Sequence, residues 1–276
     1  NMLTKTILKI KALNLKRIEQ YRLNKKPMKT SEGFYYKGPS IQFDANWEKP
    51  ERIILSKIFS SYEVFVNIGA HYGYYSCMAR GAGLEIVAIE PLPINFKMLM
   101  DNIKINNFEN NCTLINAAVG SSASIGEISG AFSTATMLKE NGNHKSLHQF
   151  VPVIKLDTIF HDKNKNKLVL MDVEGYEYEA LMGGKKMVAL DKNTDWIIEI
   201  FPFWEPKGRP KYENKNYFPT FEIMISNGYN IWKISDELER IEPGDLDKTK
   251  LDNFENRLSG NFLFSKKQSF DNLNSS

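Results

Sequence analysis

Val64-Phe-Val-Asn-Ile-Gly-Ala-His-Tyr-Gly73 is the stretch at which the chain turns from packing to chemistry. Val64, Phe65, Val66 and Ile68 form the short apolar run that a parallel strand buries on both faces. Gly69 and Gly73 bracket a tight turn, and residues 74–80 read as the start of a helix. A strand running through glycines into a helix N-terminus leaves bare backbone amides that a ligand can approach. A plain strand-to-helix turn explains this stretch alone equally well, so the residues beyond it decide.

Outward from there, strands and helices alternate. Residues 85–90 (Glu-Ile-Val-Ala-Ile-Glu) read as a second apolar strand that ends in an acid. Pro93 suits a helix start, and Phe96, Leu99, Met100 and Ile103 give the stripe of an amphipathic helix that Asn106 and Asn107 end. Residues 112–119 are the third strand and 167–173 the fourth. A helix over residues 175–182, closed by Gly183 and Gly184, leads to a fifth strand over residues 196–201. A helix over residues 221–227, ended by Gly228, precedes two last strands, residues 229–234 and 261–265. This alternation predicts an α/β fold, a mostly parallel sheet with helices on both faces. The last two strands lack a helix between them, which predicts one antiparallel strand at that edge.

Upstream, residues 47–59 read as a helix with Ile53, Ile54 and Ile58 on one side, and residues 33–43 as a hairpin around Gly38-Pro39. Residues 4–23 carry Lys5, Lys9, Lys11, Lys16, Arg17 and Arg22 against one acid, Glu19, with apolar residues at helical spacing. The expected division is a basic helix and hairpin extension over residues 1–44, then one domain over residues 45–276. Two segments interrupt the alternation. Residues 125–158 suggest a hairpin, residues 127–132 with 150–156, around a polar loop at 139–148. Residues 202–219 form a proline- and aromatic-rich loop after the fifth strand, a place where lids and substrate walls occur.

Composition bounds the function. The 276 residues are 42% hydrophobic and 25% charged, the profile of a globular chain rather than a disordered or repeat one. A formal net charge of +3 is too small to imply nucleic acid as partner. Cys77 and Cys112 lack metal-ligand spacing and read as core residues of a reducing, cytoplasmic compartment. No apolar run reaches the roughly 18–20 residues that span a bilayer. Asn1 ahead of Met2 reads as a cloning remnant.

In doubly wound sheets, ligands sit beyond the carboxyl ends of the strands, where strand order switches. Asn67, Glu90, Asn116, Asp172 and Glu199 stand at such ends, and so many polar ends argue for a shared site. Glu90 follows the glycine turn by about 20 residues, where an acid takes ribose hydroxyls. A dinucleotide turn would want G-x-G-x-x-G, and a P-loop would want Gly-Lys-Ser/Thr; neither is present. A nucleoside without a pyrophosphate fits better, and S-adenosylmethionine is the common one.

The blocks Asn67-Ile-Gly-Ala-His-Tyr-Gly73, Ala88-Ile-Glu-Pro-Leu-Pro-Ile-Asn-Phe96, Asn102-Ile-Lys-Ile-Asn106, Asn116-Ala-Ala-Val-Gly120, Leu156-Asp157 and Met171-Asp-Val-Glu-Gly-Tyr-Glu177, in this order, resemble the FkbM-type methyltransferases over residues 45–265. The resemblance implies the class I methyltransferase fold, a Rossmann-like seven-stranded sheet with its last strand antiparallel. It implies methyl transfer from S-adenosylmethionine to a hydroxyl, often on a sugar or secondary metabolite. By position, Asn67, Gly69, Ala70, His71, Tyr72 and Gly73 would line the methionine end of the cofactor. Glu90 with Pro91 would hold the ribose, Asn116 and Ala117 would lie near the adenine, and Asp172 and Glu174 would face the methyl group and acceptor. That family has Asp where Asn67 stands and Asn where His71 stands. The loss of charge at residue 67 would weaken cofactor binding by several-fold, on the order of 1 kcal/mol.

Asp172 or Glu174 is the first candidate for a general base; Glu174 could instead cap the following helix. His71 is a further candidate base, or a hydrogen-bonding or stacking group of the turn. Asp172, Glu174 and Glu199 offer hard oxygen ligands, but no spacing motif supports a metal and none is expected. Tyr72, Phe203, Trp204 and Tyr212 suit stacking on an acceptor, or ordinary packing. The expected partner is a small-molecule or glycan acceptor and no nucleic acid. Weak membrane-surface contact, or packing on its own domain or on the partner of a homodimer, stays open for the basic helix. The competing reading is a degenerate methyltransferase fold that serves as a binding or assembly module, motivated by Asn67 and the basic helix over residues 4–23.

Overall fold

The computed structural model describes residues 24–129, 148–159, 164–204, 212–246, 253, 256–267 and 270. The helix predicted over residues 4–23 and nearly all of the loop at 139–148 lie outside the described residues. A short hairpin, β1 (Met28–Lys29) and β2 (Tyr35–Tyr36), precedes α1 (Lys49–Ile58). Then β3 (Val64–Ile68), α2 (Tyr74–Gly81), β4 (Glu85–Ile89), α3 (Pro93–Ile105) and β5 (Cys112–Ile115) alternate. β6 (Ala118–Val119), β7 (Ser124–Ser129) and β8 (His148–Ile154) form a separate small sheet. β9 (Lys167–Met171), α4 (Glu177–Gly183), α5 (Lys185–Leu190) and β10 (Thr194–Ile200) follow. A ribbon of β11 (Phe203–Trp204) and β12 (Tyr212–Glu213) leads to α6 (Tyr217–Ser226), β13 (Asn230–Ile234), β14 (Leu238–Ile241) and β15 (Gly260–Ser265).

The central sheet has the order β14-β13-β15-β10-β9-β3-β4-β5. β10, β9, β3, β4 and β5 are parallel, and β15 is antiparallel to both of its neighbours. This is the expected α/β class I arrangement with two amendments. The antiparallel strand β15 is inserted between β13 and β10, two places in from the edge, because Phe262, Leu263 and Phe264 are apolar on both faces and are fully buried there. An eighth strand, β14, closes that edge through a turn in which Ser235 N–H donates to Glu237 O at 3.0 Å. Glu239 and Arg240 interrupt its apolar pattern, as suits an exposed edge.

Alternate residues of the strands face opposite layers. Phe65, Ile86, Leu168 and Ile197 pack with α1, α2 and α3 in one hydrophobic cluster; Val64, Val66, Val169 and Ile198 pack with α4, α5 and α6 in the other. Phe34 and Tyr36 belong to the first cluster, so the described part of the N-terminal extension packs onto the same core. In α1 the buried residues are Ile54, Leu55 and Ile58; Ile53, predicted to lie with them, is 39% exposed. The hairpin predicted around Gly38-Pro39 turns instead at Gly33, whose φ of 94° allows the reversal, and residues Ser40–Phe43 form a 3-10 turn. The third strand stops at Ile115. Asn116 Nδ2 donates to Glu90 O at 2.8 Å and to Pro91 O at 3.0 Å, and Ala118–Val119 pairs with β8.

Strand register is what positions a site. Ile68 is level with Ile89 and with Met171, and Met171 with Ile198. The next residue of each strand, Gly69, Glu90, Asp172 and Glu199, therefore falls on one rim. Order switches there: the chain runs outward from β3 through β4 to β5, then returns to β9 on the other side.

Candidate active site

A cavity of ≈ 550 Å³ opens at that switch point, within the size range of small-molecule sites. Its floor is the strand rim, with Asn67, Gly69, Glu90, Asp172 and Glu199 among the lining residues. Of the residues expected at a cofactor, Asn67, Gly69, Ala70, His71, Glu90, Pro91, Ala117 and Asp172 line it, and so does Glu174. Tyr72, Gly73 and Asn116 do not.

The glycine turn is built from three left-handed residues, Gly69 (φ 83°), His71 (φ 50°) and Gly73 (φ 82°). At Gly69 an added Cβ would stand 1.7 Å from Asp172 O, so the turn lies directly on the end of β9. At Gly73 it would stand 2.3 Å from Leu99 Cδ1, which makes that glycine a packing requirement between α2 and α3. The amides of this turn are not bare, contrary to the sequence expectation. Gly69 N–H and Ala70 N–H donate to Ile89 O at 2.9 and 3.0 Å, and Gly73 N–H to Ala70 O at 2.8 Å. His71 N–H donates to Glu90 Oε2 at 2.8 Å. The turn is thus closed on itself and on β4, and it offers a ligand a shaped wall.

Glu90 organises the rim. Besides His71 N–H, its carboxylate accepts Leu92 N–H at 3.0 Å and Asn95 Nδ2 at 3.1 Å. Burial nonetheless pushes it up to about 7. A carboxylate has about four acceptor sites, so three protein donors leave room for a ligand hydroxyl. Asn116 spends its amide on the backbone of residues 90 and 91 and holds Glu90 in place rather than lining the cavity. Tyr72 is buried, with its ring stacked on His71 at 3.9 Å. Asn67 is 2% exposed, and its Nδ2 donates to Ser76 Oγ at 3.0 Å, which ties β3 to α2.

Asp172 and Glu199, on adjacent strand ends, share a hydrogen bond; loss of solvation raises both, Asp172 raises Glu199 further, and the shared hydrogen bond holds Asp172 down. Glu174 stands in a left-handed conformation (φ 52°) and is pushed up to about 8 by burial, Asp172 and Glu177. Glu177 accepts Gly175 N–H at 2.8 Å, so it holds the turn into α4.

The second wall was not foreseen. Residues 205–211 of the loop expected there lie outside the described residues, and Phe203 is not among the residues that line the cavity. Trp47, Glu48 and Glu51 line it. Trp47 packs edge-on against Tyr74 at 4.9 Å. Glu48 has φ 42°, accepts a hydrogen bond from Tyr75 OH and is pushed up to about 7 by burial. Glu51 Oε1 accepts Asn261 Nδ2 at 3.0 Å, and Asn261 is the cross-strand neighbour of Glu199. Pro50 and two acids at a helix start read as ordinary capping, which hid this wall in the sequence.

Among the described residues, six carboxyls (Glu48, Glu51, Glu90, Asp172, Glu174, Glu199) and no Lys or Arg line the cavity. An acidic cavity with apolar flanks such as Ile89, Leu92, Ala118 and Ile128 suits a ligand that is part cation and part nucleoside. Among the described residues no three His, Cys, Asp or Glu are grouped to hold a metal ion. No described helix is long and apolar enough to cross a membrane.

No curated protein matches the chain by sequence. Among solved structures, a precorrin-6Y C5,15-methyltransferase from Geobacter metallireducens GS-15 is 13% identical over 77% of this chain and 84% of its own, with TM-score 0.39. TYW2 of P. horikoshii, solved with MeSAdo, is 18% identical over 86% and 70%, with TM-score 0.43. A TehB-like SAM-dependent methyltransferase from Corynebacterium glutamicum ATCC 13032 is 11% identical over 79% and 88%, with TM-score 0.40. The family model for the methyltransferase FkbM domain matches residues 67–231, more than half of the chain and every rim residue. The chain belongs to the FkbM methyltransferase family.

Proposed function

We propose that the cavity carries out methyl transfer from S-adenosylmethionine to a hydroxyl of a sugar, glycan or small metabolite. The observation that carries this reading is the level rim of Gly69, Glu90, Asp172 and Glu199 under an acidic cavity without Lys or Arg among the described residues. Glu90 would take the ribose hydroxyls through its remaining acceptor site, and Ala117 with Ala118 would flank the adenine. Asn67, Ala70 and His71 would line the methionine portion.

When bound, the cofactor supplies an electrophilic methyl on a sulfonium. The chain's own task is then alignment, which can lower a barrier by about 7–11 kcal/mol. Methylating a hydroxyl also releases a proton. A carboxylate from the Asp172–Glu199 pair, or Glu174, would take it, and a positioned base contributes roughly 10²–10⁴-fold.

The test is methyl transfer from labelled S-adenosylmethionine to a panel of hydroxyl acceptors by wild type, Asp172→Asn and Glu174→Gln. At least one variant should lose about 10²-fold or more in kcat with a smaller change in cofactor affinity. Full turnover in both would remove the carboxylate base from the scheme.

A further inference from the structure

The cavity has a cofactor side and an opposite side, and sheet order separates them. Glu90 lies on the β4 side of the switch point, whereas Glu199 and its neighbour Asn261 lie on the β10–β15 side. Glu51 is anchored to Asn261 at 3.0 Å, so the Glu51 end of the wall from residues 39–51 stands over the side away from Glu90. This wall precedes the segment matched by the family model.

Its chemistry is one-sided. Glu48 and Glu51 present carboxylates one helical turn apart, and Gln42 and Trp47 line the cavity beside them. Two cations flank these acids in sequence: Lys49 is exposed and outside the lining, and Arg52 is directed elsewhere, its Nε donating to Glu32 Oε1 at 2.7 Å and its Nη1 to Trp47 O at 3.1 Å. Arg52 is not part of the lining, and neither is any other described Lys or Arg. Carboxylates accept hydrogen bonds and repel anions. Phosphate or carboxylate recognition would instead want a guanidinium fork or an ammonium.

We propose that Glu48 and Glu51 are specificity-determining residues that admit a neutral, polyhydroxylated ring and exclude acceptors carrying phosphate or carboxylate on the reacting unit. Tyr75 OH fixes Glu48 and Asn261 fixes Glu51, so both carboxylates are pre-aimed and lose little freedom on binding. A sugar phosphate, a nucleotide sugar at its phosphate end, or a uronate would meet like charge here, with no Lys or Arg among the described lining residues to offset it.

The inference rests on the methyl-transfer reading, and the experiment separates the two. Wild type, Glu48→Gln and Glu51→Gln are first titrated with S-adenosylhomocysteine, which shows that each is folded. Absence of binding by wild type would sink the underlying reading. The saturated proteins are then titrated with a neutral methyl hexoside and the matching hexose phosphate, followed by ligand-observed NMR. Wild type should favour the neutral hexoside by about tenfold or more, and each variant should shrink that preference several-fold. Equal or tighter binding of the phosphate, a preference unchanged in both variants, or binding of neither sugar would overturn the proposal.

Discussion

At the scale of single residues, the acids explain themselves by position. Glu90 and Asp172 could be read from the sequence because each ends an apolar strand run, where a buried carboxylate needs a purpose. Glu48 could not: its left-handed backbone, φ 42°, sits in a residue type that gives no hint of it. Glu90→Ala removes a ligand acceptor and leaves three protein donors without their partner. It should weaken S-adenosylmethionine binding at least tenfold in calorimetry. The raised carboxyls add a pH signature. Glu90 and Glu48 are held at about 7 and Glu174 at about 8, so they gain negative charge as pH rises through that window. Cofactor affinity should therefore climb between pH 6 and roughly 9, with proton release measurable in buffers of different ionisation enthalpy. S-adenosylhomocysteine, whose sulfur is neutral, should show a smaller slope. An affinity that falls over this range would contradict binding of a cationic cofactor in this acidic cavity.

Among elements, the alternation of strands and helices was legible because burial on both faces writes near-continuous apolar runs. Edges and turns were less so. β14 carries its own charges, and the N-terminal hairpin turned on Gly33 where Gly38-Pro39 looked the stronger breaker. Residues 202–219 were expected as a wall because loops after strands commonly serve that role; residues 205–211 lie outside the described residues, and a wall from residues 39–51 was not legible. The glycine turn gives a direct test of element geometry. Gly69→Ala adds a left-handed penalty of about 1–2 kcal/mol and a collision with Asp172 O. Gly228→Ala has a similar φ of 81° with open space around it. Urea unfolding should show the larger loss for Gly69→Ala, together with loss of cofactor binding, while Gly228→Ala binds normally. Equal losses would mean that the turn does not rest on β9 as described.

For the whole molecule, a sheet covered on both faces supplies stability and the rim supplies chemistry, and the two draw on the same strands. Phe65, on β3, is fully buried in the cluster that joins the sheet to α1, α2 and α3, and Phe65→Ala should cost about 3–5 kcal/mol. The acidic cavity works against that stability. Glu90, Glu174 and Glu177 have an ordinary value of 4.5 and are raised to about 7, 8 and 7 in the fold. The native state thus holds more protons than the unfolded chain across this interval. The contribution of these groups is full below pH 4.5 and is lost as pH rises through 7 to 8. The melting temperature of the ligand-free protein should accordingly fall between pH 5 and roughly 8, and S-adenosylmethionine should restore it. The central claim is that the rim binds this cofactor, and calorimetry tests it most directly. Saturable binding of S-adenosylmethionine, weakened at least tenfold by Glu90→Ala, is the predicted result; no binding at millimolar cofactor, with NAD bound instead, would contradict it.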